Sequence, residues 1–156
     1  MKKIPLTKGA FAVVDDDMFD SLSQHHWFLS SNGYAMRNCA IGNGKYSAMC
    51  MHRQILNLEK GDKKDVDHIN MDHLDNRKEN LRICTRSENM RNRGKNKNNK
   101  SGYKGVSWFA RDSKWVAGIK HNGKRKYLGL FDDPALAHEA YKKAALELHG
   151  EFAKME

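Results

Sequence analysis

The apolar positions of this chain fall into two differently patterned stretches, separated by a run that has almost none. In the first stretch, short β-prone segments alternate with turn residues. Residues 4–6 and 11–14 flank Lys8-Gly9 and predict two strands joined by a turn. The acids at 15–17 predict the start of a short helix carrying Met18, Phe19 and Leu22. Trp27-Phe28 predicts a strand. Residues 34–38 and 46–51 flank Gly42-Asn43-Gly44 as a hairpin, and 52–56 predict one or two helical turns. Residues 65–69 then predict a strand with Val66 and His68 facing inward. A polar, turn-rich loop over 70–79 leads to a second strand at 81–84. Thr85 or Ser87 can cap a short helix through Glu88, Asn89 and Met90.

The last third of the chain is patterned more simply. Residues 103–109, 114–120 and 125–130 predict three strands, with Asn122-Gly123 as a two-residue hairpin turn. Alternation aims Trp108, Trp115, Ile119 and Leu128 inward. Asp132 or Asp133 predicts a helix N-terminus with Pro134 in the first turn, and Gly150 predicts its end. Ala137, Ala140, Tyr141, Ala144 and Leu148 form one apolar stripe on it. The expected class is α+β: a mixed N-terminal region over 1–93, a flexible basic linker over 94–101, and a three-stranded antiparallel sheet packed on one helix over 102–156.

Composition sharpens this picture in two ways. Hydrophobic residues make up 39% and charged residues 30% of 156 positions, so two separate cores would each be thin. The formal net charge of +9 points to a polyanionic partner, nucleic acid first. Cys39, Cys50 and Cys84 are odd in number and form no C-x-x-C pair, which argues against a disulfide framework or a structural zinc site. The basic N-terminus turns acidic after a short apolar run, unlike a secretory signal, and no apolar run approaches membrane-spanning length. The expectation is a cytoplasmic protein, not secreted, with no membrane and no obligate protein partner.

The candidate chemistry lies in residues 66–93. Asp67-His68 ends the first strand of this stretch, Asn80 follows the loop, and Asn89 sits in the helix. Phosphodiester hydrolysis needs an activated water and relief of charge on the phosphorane and the departing 3′ oxygen. One divalent metal with one general base supplies these. A carboxylate and an amide carbonyl suit a hard ion, and imidazole suits the base. Asn80 is placed to hold the loop through backbone hydrogen bonds. The other histidines carry less. His25, His26 and His52 are expected to be structural or at the surface, and His73 solvent-facing. Asp72, Asp75 and Asn76 are expected to shape the turn.

DHIN at 67–70, LDNRKENL at 74–81 and TRSENMRNR at 85–93 together resemble the HNH endonucleases of the ββα-metal superfamily, in particular the homing-endonuclease branch of phages and mobile introns. The resemblance spans residues 50–93, with the motif over 64–93. It implies His68 as the general base, Asn80 as the asparagine that braces loop and base, and Asp67 with Asn89 as metal ligands. Asn89 replaces the more usual second histidine. A neutral amide favours Mg²⁺ or Mn²⁺ over a softer ion, with one ion per site. Arg77, Arg82 and Arg86 are candidate phosphate contacts.

Between the two stretches, Arg91, Arg93, Lys95, Lys97 and Lys100 alternate with asparagines and no acid. Such a run buries no core, and Arg91, Arg93, Lys95 and Lys97 would add sequence-independent affinity for DNA. The C-terminal stretch has its positive charge on the sheet: Lys104, Arg111, Lys114, Lys120, Lys124, Arg125 and Lys126 stand against Asp112. The open sheet face is therefore expected to meet double-stranded DNA. K-G-V at 104–106, K-W-x-A-x-I at 114–119, L-G-x-F at 128–131 and A-x-x-A-Y-x-x-A-A at 137–145 resemble the AP2 DNA-binding domain. That resemblance puts Lys104, Ser107, Phe109, Gly118, Lys120, Arg125 and Tyr127 at DNA-facing positions. Two further readings stay open: a non-catalytic DNA-binding regulator on an HNH scaffold, and a basic RNA-binding protein.

Overall fold

A computed structural model describes residues 1–96 and 98–155. The chain forms two compact units, Met1–Arg86 and Ser87–Glu156. Each is built around its own core.

In the first unit, β1 (Lys2–Pro5) pairs antiparallel with β2 (Phe11–Val14), joined by a 3-10 turn. The first strand begins two residues earlier than the hydrophobic run at 4–6, because Lys2 completes the register opposite Val14. Helix α1 (Asp16–Ser23) follows, with Asp15 at the N-cap position. Asp15 does not cap through its side chain; its carboxylate accepts from the Lys78 backbone N–H at 2.7 Å. A meander of β3 (Phe28–Leu29), β4 (Ala35–Ala40) and β5 (Tyr46–Cys50) leads into α2 (Met51–Ile55). The ribbon β6 (Asp65–His68) and β7 (Leu81–Cys84) then pairs antiparallel. Ile4, Val14, Leu22, Met51, Val66 and Leu81 belong to one buried cluster, so the ribbon is built onto the core made by the hairpin and the helices.

The short helix α3 (Arg86–Asn92) begins at the boundary between the units. In the second unit, β8 (Val106–Phe109), β9 (Lys114–His121) and β10 (Lys124–Phe131) form an antiparallel sheet in the order β10-β9-β8. Helix α4 (Pro134–His149) packs against it. Asp133 caps that helix by accepting from the Ala135 N–H at 2.7 Å, and Pro134 occupies the first turn, where no N–H is needed. Ile119, Tyr141, Ala144 and Ala145 form one part of the core, and Val106, Ala117 and Ala137 the other.

Register divides the sheet into two faces. Val106 lies opposite Ala117 and Trp108 opposite Trp115, which puts these on the helix side with Ile119. Ser107 opposite Val116, Gly118 opposite Tyr127 and Lys120 opposite Arg125 make up the open side. Trp108 departs from expectation. It stands on the helix side but is 52% exposed, and it rests edge-on against Trp115, with ring centroids 5.0 Å apart.

Residues 94–96 and 98–101 form no helix or strand. They are nonetheless fastened to the second unit. Lys95 Nζ donates to the Gly102 carbonyl, Asn99 Nδ2 to the Tyr103 carbonyl, and Ser101 Oγ to the Val106 carbonyl.

Candidate functional site

The β6–β7 ribbon sets the first-unit site. Val66, Asp67 and His68 are all buried, a departure from simple alternation. Val66 and His68 face the core together with Leu81. Asp67 lies on the opposite face, directly across from Arg82. Arg82 folds back onto it: Nε and Nη2 both reach Asp67 Oδ2, at 2.8 and 2.7 Å. Arg82 is thus engaged within the ribbon.

The loop from β6 to β7 is held by its own polar residues. Asn80 is buried and closes the loop from both sides. Its Oδ1 accepts from the Asn70 N–H at 3.0 Å, and its Nδ2 donates to the Asp75 carbonyl at 2.8 Å. Its own carbonyl accepts from the Ile69 N–H at 2.9 Å. Asp72 accepts from the Leu74 N–H, and Asn70 Oδ1 from the Asp72 N–H, in successive Asx turns. Asp75 takes hydrogen bonds from Asn70 and from the Arg77 guanidinium, which holds its carboxyl below the usual carboxylate range. Arg77 also pairs with Glu79, so its charge is spent inside the loop. The loop is then docked on β2, with Val13 N–H to the Leu74 carbonyl and Asn76 N–H to the Val13 carbonyl, both at 2.8 Å. Lys78 Nζ bonds Asp17 at 2.6 Å.

Three aromatic partners surround His68. The His52 ring stands edge-on at 5.1 Å, His73 lies at 5.6 Å and Tyr34 at 5.9 Å, centroid to centroid. One of these, His73, corrects the sequence reading, which put it in solvent; His52 takes the structural role expected of it. His52 is buried, because α2 turns it toward the ribbon. His73 is half-buried and stacks on Tyr34 with centroids 4.0 Å apart. Burial, reinforced by the charge of His73, pushes the His68 imidazole below its ordinary value; a hydrogen bond to Asn76 and the carboxylates of Asp67 and Asp72 pull the other way. His52, more deeply buried and beside His68, Arg53 and His73, is pushed down to about 3. Both imidazoles are held toward the neutral form. The local sequence gave no sign of the cluster, since Tyr34 and His73 meet only through folding of distant segments.

Asn89 lies on α3, on the second-unit side of the boundary. Arg86, at the start of the same helix, is exposed, with its guanidinium 3.6 Å from Asp65. Among the described residues no group of three or more His, Cys, Asp or Glu is arranged to hold a metal ion.

In the second unit the open sheet face carries Lys120, Arg125 and Tyr127, all exposed. Arg125 lies across Gly118: a Cβ there would sit 2.9 Å from its Nε, so the glycine makes room for the guanidinium. A concavity of about 610 Å³ beside β8 is lined by Ser107, Trp108, Gly118, Arg125 and residues from the basic bridge, including Asn96, Asn99 and Lys100. Lys104 is placed differently from the sequence expectation. Its Nζ donates to the Arg91 carbonyl at 2.7 Å and stands 6.0 Å from the centre of the Tyr141 ring, and burial pushes it down to about 8. Arg91 reaches Ser87, Arg93 reaches the Met90 sulfur, and Lys95 is bonded to the Gly102 carbonyl. Lys97 lies outside the described residues.

Comparison with known proteins finds a family for each segment. The HNH endonuclease family model matches residues 50–91, and the AP2 domain model matches residues 101–151. An uncharacterised HNH endonuclease of Acanthamoeba polyphaga mimivirus is 32% identical over 150 residues, covering 94% of this chain and 74% of its own length. Protein 3.8 of Escherichia phage T7 is 33% identical over 89 residues, 57% of this chain and 73% of its own. No solved structure matches the chain significantly. A β-ribbon bearing the D-H-x-N and central asparagine signatures, followed by a sheet-and-helix module of the AP2 pattern and matched over most of its length by an HNH relative, places this chain in the HNH endonuclease family, with an AP2 domain after the HNH segment.

Proposed function

We propose that the chain is a metal-dependent endonuclease that hydrolyses phosphodiester bonds in double-stranded DNA, of the homing-endonuclease type. The observation that carries this reading is the placement of His68. It sits buried at the end of β6, beside a loop that Asn80 closes at both ends, with its imidazole held toward the neutral, proton-accepting form. In this role His68 takes the proton of the attacking water. Asn80 keeps the loop and, through it, the strand end that presents the base. Asp67 and Asn89 would hold one Mg²⁺ or Mn²⁺ ion, whose chemistry when bound is Lewis-acid relief of charge on the phosphorane and the 3′ oxygen. Arg82 orients the Asp67 carboxylate by gripping one of its oxygens.

The AP2 domain and the basic bridge anchor the DNA. Lys120, Arg125 and Tyr127 meet it from the open sheet face, and Arg86, Arg91, Arg93, Lys95 and Lys97 add contacts along phosphates. Arg77 and Lys104, bound within their own units, serve the loop and the module's packing first. The cytoplasm of a bacterial or phage-infected host cell is the setting that fits a DNA substrate.

His68→Ala is expected to lose at least about 10²-fold in cleavage, the usual scale of a general base, while DNA affinity stays within about threefold. Plasmid nicking with Mg²⁺ or Mn²⁺, and its loss in EDTA, measures the first; a gel-shift titration measures the second. Undiminished cutting by the variant would refute the assignment. One observation favours a second reading, a DNA-binding regulator that no longer cuts: Arg82 already occupies Oδ2 of the Asp67 carboxylate. A wild-type protein that binds DNA but never nicks it, with either ion, decides for that reading.

A further inference from the structure

His73 lies on the loop opposite the proposed base, yet the HNH resemblance gives it no role. Its surroundings are more specific than a turn requires. The ring is stacked on Tyr34 at 13° between planes. Its Nδ1 lies 3.2 Å from the Asn32 carbonyl oxygen. A carbonyl only accepts, so this contact puts a proton on Nδ1 and leaves Nε2 as the atom that gains or loses one. The Asn32 carbonyl is itself set by a tight turn. Gly33 adopts φ +82°, its N–H donates to the Ser30 carbonyl at 3.0 Å, and the Tyr34 N–H donates to Ser30 Oγ at 3.0 Å. The ring is thus gripped on one edge and one face, and it stays half-buried rather than sealed.

We propose that His73 is the general acid of the cleavage reaction, protonating the departing 3′ oxygen through Nε2 while His68 accepts the proton of the attacking water. The inference rests on the reading of His68 as base. The two ring centroids lie 5.6 Å apart with 56° between the planes, which sets a second imidazole within reach of a phosphate that His68 would serve. The step balances. The water oxygen forms a bond to phosphorus and its proton goes to His68. The bond from phosphorus to O3′ breaks, and O3′ takes the proton from His73. Exchange with solvent returns both rings to their starting states.

The test compares two substrates on the same protein sample, an ordinary DNA duplex and one with sulfur in place of the scissile 3′ oxygen. A thiolate leaves without being protonated. Mn²⁺ is used throughout because sulfur binds Mg²⁺ poorly. His73→Asn keeps an N–H for the Asn32 carbonyl and removes the Nε2 proton; His73→Gln serves if the first variant folds poorly. The expected result is a loss of about 10²-fold or more on the oxygen substrate and cleavage within about threefold of wild type on the sulfur substrate. Because the readout is a ratio between substrates, a partly unfolded sample does not imitate it. Equal losses on both substrates, or no loss on either, overturn the role of His73 and leave His68 standing. A wild-type protein that cuts neither substrate removes the hydrolytic reading, and this inference with it.

Discussion

His52 shows how a single burial sets a pH dependence. It is nearly inaccessible, and in the folded chain its imidazole is pushed down to about 3 by burial and by the nearby His68, Arg53 and His73. In the unfolded chain it titrates near 6.5. Below that value the unfolded state takes up a proton that the folded state refuses. The contribution is therefore fully present above about pH 6.5 and is lost progressively as pH falls toward 3. Each unit of difference is worth about 1.4 kcal/mol, so acidification from pH 7.5 to 5 should lower the stability of the wild-type chain by on the order of 2 kcal/mol from this residue alone. Urea midpoints measured across that range test it. His52→Gln should flatten the dependence, and His68, shifted in the same direction, should leave a smaller residual slope. At this scale the sequence was informative for Asn80, whose spacing already implied a loop-closing amide. It was silent for His52 and His73, because both owe their environment to Tyr34 and to each other.

Elements in this chain depend on close approach as much as on pattern. The AP2 sheet and its helix meet where Gly105 enters β8. Its φ is +78°, and a Cβ there would lie 2.0 Å from Cδ2 of the buried Tyr141 ring. Gly102 has the same φ but nothing within 4 Å. Gly105→Ala is therefore expected to cost roughly 2–5 kcal/mol, backbone strain plus a displaced ring, whereas Gly102→Ala costs only the strain, about 1–2 kcal/mol. Thermal unfolding of the two variants side by side separates the terms. The elements themselves were largely legible: β7, α4 and the Asn-Gly hairpin fall where period and turn chemistry put them. Trp108 lies on the face that alternation assigns yet stays exposed, because a strand pattern assigns a face but not how fully that face is covered.

For the whole molecule, positive charge is distributed between open and committed positions, and the distinction is measurable. Lys120 and Arg125 stand exposed on the sheet, whereas Lys104 is half-buried and bonded to a backbone carbonyl. If DNA lies on the open face, Lys120→Ala and Arg125→Ala should each lower the slope of log affinity against log salt by about 1, the value of one released counterion, while Lys104→Ala should leave the slope unchanged. Binding titrations over a range of salt give the slopes directly. A Lys104→Ala variant that lost a full counterion would place the DNA elsewhere on this unit. Among the described residues no helix is long and apolar enough to cross a membrane.

By itself the sequence determined the features that local periodicity and residue chemistry dictate: α+β class, two differently patterned stretches, a D-H pair at a strand end, and an asparagine able to close the loop behind it. Those features are local because hydrogen-bonding groups, turn residues and apolar spacing act over a few positions. Tertiary structure alone decided which charges are spent internally, with Arg82 on Asp67, Arg77 on Asp75 and Lys104 on a carbonyl, and which imidazoles gather around His68. Burial and pairing depend on what distant segments bring alongside.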